Sequence, residues 1–123
     1  MTSSTRARSW IPTRIETWAV PGIPDLDICD DRGLFHKVEL KVANGNKVEL
    51  RPHQVAFLTR HQHASVWILV RKGLTARDSE VFLYHGRQAV DLSMDGLSTR
   101  PISHVTADGD WEIVWSTISP LEG

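Results

Sequence analysis

Pro24–Lys41 reads PDLDICDDRGLFHKVELK. Two short apolar runs flank Asp30-Asp31-Arg32-Gly33, a cluster of turn-forming residues, so the stretch is expected to fold as a hairpin. In the first run Leu26 and Ile28 alternate with Asp25 and Asp27; in the second Val38, Leu40 and Val42 alternate with Glu39 and Lys41. Strand side chains repeat every two residues, so Glu39 and Lys41 must share a face and the aliphatic residues the opposite one. If the strands pair, Asp25 joins them, placing two carboxylates and an ammonium at one spot on a sheet. Cys29 falls on the Asp25/Asp27 side, where it reads as a small half-buried residue or a neighbour of that spot.

Asp, Glu and Lys together suit metal-assisted hydrolysis of a phosphodiester. Asp25 and Glu39 offer hard oxygen ligands to Mg²⁺, which keeps several waters and seldom has an all-protein cage. The backbone carbonyl of Leu40, between Glu39 and Lys41, is a natural third ligand. Lys41 is then placed to hold the attacking water or to stabilise developing negative charge. Alternation by itself does not carry this chemistry, because a sheet with one wet face shows the same pattern.

Further residues add a resemblance. Gly22-Ile23-Pro24-Asp25-Leu26 approaches the first acid, Glu39-Leu40-Lys41 closes an apolar strand, and Arg51-Pro52-His53-Gln54 opens a helix carrying a Gln. Over roughly Glu16 to Lys72 the chain resembles the PD-(D/E)XK nucleases, most nearly the virus-type replication-repair nuclease branch that includes phage-encoded resolvases of Holliday junctions. The resemblance implies an α/β fold with a restriction-endonuclease-like core, a mixed central β-sheet flanked by helices. It implies catalysis by Asp25, Glu39, Lys41 and Gln54, with Mg²⁺ as cofactor and Mn²⁺ able to substitute. An acidic residue from an N-terminal helix often lies near the metal in such enzymes. Glu16 is the candidate here, its plain alternative being a solvated helix end. The implied substrate is DNA, branched as in a four-way junction. Flap or single-strand cleavage, or a catalytically silent DNA-binding module, are the alternatives.

The 123 residues suffice for one domain with a real core. No apolar run approaches the ~20 residues of a membrane span. The N-terminus has arginines but no apolar signal core. A single cysteine excludes an internal disulfide and a Cys-rich zinc site. A cytoplasmic location is expected, that of the host if the chain is phage-encoded. Net charge is −1, yet the charges are segregated: residues 32–72 hold eight bases against two acids, and residues 73–123 three bases against eight acids. The positive segment adjoins the candidate site, as phosphate binding requires.

Residues 1–9 read as a flexible basic arm, and residues 10–123 as a single domain. Pro12 suits the first turn of a short helix, and Thr17–Val20 a strand or its entry. Ala43-Asn44-Gly45-Asn46 is a loop, and Lys47–Leu50 a short extended piece. The main helix runs from Pro52 to about Gln62, with Val55, Leu58 and Gln62 on one apolar stripe that Ala56 and Phe57 widen. Its Gln54 either points back at the strands or is an ordinary exposed Gln. His61-Gln62-His63 lacks a third ligand at zinc spacing. Ala64–Val70 is a buried strand, and Ser79–Tyr84 another. Gly86–Leu92 is a short helix packing Ala89, Val90 and Leu92. Ile102–Val105 and Trp111–Trp115 are apolar pieces that suit edge strands or a partner surface. Arg6, Arg8, Arg14, Lys47, Arg51, His53, Arg71 and Lys72 are the candidate DNA contacts. Two symmetric nicks require two sites, so a homodimer is expected, with Trp111, Ile113, Val114 and Trp115 in its contact.

Deleting residues 2–8 removes Arg6 and Arg8. DNA affinity should fall at low salt, and the slope of log affinity against log salt should flatten by roughly one unit per lost phosphate contact. An unchanged slope in a salt titration would make the arm a bystander.

Overall fold

The apolar run after the main helix becomes the centre of the sheet: β3 spans Val66–Lys72, and Val66 through Arg71 are buried. The computed structural model describes residues 26–30, 32–73, 75, 78–106 and 109–119. The basic arm, the Pro12 helix and the Thr17–Val20 strand lie outside the described residues, as do Arg6, Arg8, Arg14, Glu16 and Asp25. β1 (Leu26–Cys29) and β2 (Phe35–Val42) form the expected hairpin, and β4 (Glu80–His85) and β5 (Ser103–Thr106) complete a five-stranded sheet whose spatial order follows the chain. β2 and β3 are parallel and the other neighbours antiparallel, so the sheet is mixed.

A parallel pair cannot close through a tight turn. The crossover between β2 and β3 contains α1 (Pro52–Arg60), which buries Leu58 against Val66, Ile68 and Tyr84. α2 (Ala89–Asp95) adds Ala89 and Leu92 to the same layer. α3 (Trp111–Ile118) covers the other face, packing Val114, Trp115 and Ile118 on Val38, Leu69 and Leu83. The result is an α/β architecture with helices on both faces of the sheet. Among the described residues no helix is long and apolar enough to cross a membrane.

Several sequence expectations change. The main helix stops at Arg60, and residues 61–63 form a turn. The Trp111–Trp115 piece is helical: Trp111, Val114, Trp115 and Ile118 recur at three- and four-residue spacing, and the Asp110 side chain accepts from the Glu112 amide at 3.0 Å as an N-cap. Val114 and Trp115 are therefore core, not a surface for a second copy, and only Ile113 of that group is exposed. Val90 faces outward while Ala89 and Leu92 are buried, and Cys29 is exposed rather than half-buried.

The largest departure is Asp30. It caps the hairpin turn from inside, accepting from the amides of Arg32 (2.9 Å) and Leu34 (3.0 Å) with one oxygen. Its other oxygen meets His36 Nε2 and the Ser119 hydroxyl, both at 2.8 Å. On its far side His36 Nδ1 lies 2.6 Å from Ser65 Oγ, which in turn accepts from Trp67 Nε1 at 2.7 Å. A proton on His36 Nε2 and the Ser65 proton directed at Nδ1 satisfy every group in this chain. The network ties the end of α3 to the hairpin and to the start of β3. Burial alone would raise the Asp30 pKa; the bonds from His36, Ser119, Leu34 and Arg32 outweigh it and hold the carboxyl well below the usual carboxylate range.

Asp30→Asn should lower stability by about 2–3 kcal/mol in denaturant unfolding, since a buried carboxylate loses charge-assisted bonds. A folded-state pKa below the unfolded value stabilises the fold above about pH 4 and loses that contribution as pH falls below it. The parent should therefore lose stability between about pH 4 and pH 2 more steeply than Asp30→Asn. Parallel pH profiles would contradict this.

Candidate active site

β2 puts its polar side chains under α1. In the parallel register Lys37 pairs with Val66, Glu39 with Ile68 and Lys41 with Val70, and those three β3 residues all belong to the core on the α1 side. Val38 and Leu40 pack on the opposite side with Trp67 and Leu69. Glu39 and Lys41 thus share a face as the alternation requires. Glu39 is only 6% exposed, unusual for a carboxylate.

Gln54 joins the strand to the helix. Pro52 occupies the first position of α1, which needs no amide donor there, and Gln54 falls in the first turn. Its carbonyl oxygen accepts from the Arg51 amide and from Lys41 Nζ, each at 2.9 Å, and its amide nitrogen donates to Glu39 Oε2 at 3.3 Å. Rotating the amide by half a turn would set NH₂ against two donors, so the network fixes its orientation. One Gln side chain therefore caps a helix, positions an ammonium and touches a buried carboxylate.

A cleft of about 280 Å³ opens beside this group, lined by Lys37, Glu39, His53, Gln54 and Phe57. Leu40 is not part of the cleft lining. Odd-numbered residues of β2 bond to β3, from Lys37 N–H to Ser65 O (3.0 Å) through Ala43 N–H to Arg71 O (2.8 Å). The Leu40 carbonyl therefore lies on the other edge of the strand. The described β1 ladder ends at Leu26–Val38, two residues short of Leu40.

The structure brings together Glu39, Lys41, Gln54 and His53, with the Leu40 carbonyl on the adjoining strand edge. Arg51 is exposed at the start of α1, and Lys47 is exposed in the preceding loop. Lys72 donates to Asn46 Oδ1 at 3.0 Å, tying β3 to that loop. Arg71 does not join them: it is 5% exposed and shares the α3 side of β3 with Trp67 and Leu69. Sequence reasoning missed Lys37 and assigned Ala56 and Phe57 to the packing stripe of α1, whereas both are exposed and Phe57 lines the cleft. Lys37 lies two residues before Glu39, so the alternation already contained it. Phe57 follows His53 by one helical turn, and its exposure has no signature in sequence.

Glu39 is the single carboxylate lining the cleft among the described residues, and no three described His, Cys, Asp or Glu side chains converge to hold a metal ion. Asp25 lies outside the described residues, and of the expected metal donors only Glu39 and the Leu40 carbonyl can be placed; both are oxygen donors of the type Mg²⁺ takes. No family model, curated protein or solved structure matches the chain.

Proposed function

We propose that this protein is a divalent-metal-dependent DNA endonuclease of the PD-(D/E)XK type, with the sheet and helices forming a restriction-endonuclease-like core. The observation that carries the reading is the Lys41–Gln54–Glu39 bridge, at 2.9 and 3.3 Å, whose Gln54 and Glu39 line an open cleft. Burial of a carboxylate is costly unless it is hydrogen-bonded or coordinated. Among the described residues, Glu39 has one hydrogen-bond partner, a neutral amide. Its remaining acceptor capacity is what a cation would use.

In this reading Asp25, Glu39 and the Leu40 carbonyl would hold Mg²⁺ or Mn²⁺, with Glu16 as the candidate for a further ligand. The ion would supply Lewis acidity and a more acidic bound water. Lys41 stabilises negative charge developing on the phosphate or holds the nucleophilic water. Gln54 keeps the Lys41 ammonium at a fixed distance from Glu39, so less reorganisation is needed as charge develops. Lys37 and His53 line the cleft and Arg51 opens the adjoining helix, groups that suit a phosphate backbone, while Lys47 and Lys72 lie at the loop that holds Asn46 and would meet a strand only beyond the cleft. A four-way junction as target and a homodimer as the working form follow from the family resemblance. The dimer contact then lies away from the buried Val114 and Trp115.

Glu39→Ala should abolish metal-dependent cleavage while leaving DNA binding intact or tighter, because it removes negative charge near the phosphate. Lys41→Ala should cost about two to three powers of ten in rate with little change in metal affinity. Gln54→Ala should cost less than either. Titration of the metal by calorimetry beside single-turnover gels would check all three; a Glu39→Ala protein that cleaves like the parent would overturn the site.

A further inference from the structure

α1 carries an aromatic stripe of which the proposed chemistry uses only His53. His53, Phe57 and His61 follow one another at four-residue intervals, so they line one side of the helix and its end. Phe57 is 39% exposed. Its ring centroid is 4.4 Å from that of His61, and the Lys37 ammonium stands 5.4 Å over it. His53 and Phe57 both line the cleft that contains Glu39. An exposed aromatic ring beside an imidazole and a lysine, at the wall of a cleft of about 280 Å³, has the parts of a base-stacking platform.

We infer that Phe57, backed by His61, stacks an unpaired base of the DNA strand whose phosphate enters the Glu39 cleft. The proposal rests on the nuclease reading and adds to it that a nucleotide next to the scissile phosphate is unpaired, as in a flap or at an opened branch point of a four-way junction. The occupant follows from the pairing of groups. A π-face recognises any base, and Lys37, drawn from the ring by a phosphate, supplies the charge that a backbone requires while uncovering the face. A base inside intact duplex is stacked on its neighbours and cannot present its face to Phe57. Flaps, single strands and unpaired branch points can.

The test is binding in metal-free buffer, using the full chain and fluorescent oligonucleotides: blunt duplex, single strand, and duplex with a 5′ or 3′ flap. Phe57→Ala should weaken binding to the single strand and to a flap by about tenfold or more, and leave blunt duplex unchanged. Phe57→Trp should retain the affinity that Phe57→Ala loses, which a general defect would not. A 2-aminopurine base beside the branch point should be quenched by the parent and not by Phe57→Ala. Equal loss on every DNA, or no loss on any, would overturn the platform. The nuclease reading is read separately, from Mg²⁺-dependent cleavage by the parent. Absence of cleavage with the Phe57 effect intact would sink the enzyme and keep the platform; cleavage without the Phe57 effect would do the reverse.

Discussion

Parallel pairing of β2 with β3 is the constraint on which the rest depends. Two parallel strands cannot be joined by a hairpin, so the chain must leave the sheet and return. The return carries α1, and α1 can only lie over the face where Val66, Ile68 and Val70 need cover. β2 presents Lys37, Glu39 and Lys41 to that same face. A helix start is thereby brought onto three charged side chains, and Gln54 in its first turn becomes the joint between them. Pro52, the Arg51 amide and the Gln54 carbonyl place that turn, so helix initiation and site assembly are one event.

The opposite face supplies rigidity without chemistry. Asp30, His36, Ser65 and Ser119 form a Ser–His–Asp-like chain in connectivity alone, because Asp30, His36 and Ser119 are buried beneath α3 and Ser65 is engaged by Trp67. It fixes the hairpin that presents β2. A second tie lies at the start of the α1 approach. Gly96 adopts φ of +59°, and a Cβ there would lie 1.9 Å from the Asn46 carbonyl oxygen, which accepts from the Leu97 amide at 2.8 Å. This close approach holds the loop before Val48 and Leu50 against the end of α2, which sets where α1 begins.

The hairpin, the buried β3 and the split of Glu39 and Lys41 from Val38 and Leu40 were legible because a period of two leaves few alternatives. So was the start of α1, where Pro52 marks the first turn. The polar role of Asp30 was not legible: turn chemistry explains an Asp there equally well, and its partner Ser119 lies 89 residues away. α3 was hidden because its stripe extends past Trp115 to Ile118, and a short apolar run reads alike as strand or helix. Arg71 looked like a strand-end phosphate contact, yet the same alternation that placed Glu39 sends it to the other side. The expected Asp25 ligand lies one residue before the described β1, so the site is legible on the β2 and α1 sides only.

The most direct measurement of the central claim is cleavage by the purified parent chain of duplex, single strand, flap and four-way junction DNA, each with and without Mg²⁺. The account predicts cuts that require the metal and fall on DNA with unpaired or branched strands. No cut on any of the four substrates, at any Mg²⁺ or Mn²⁺ concentration, would contradict it.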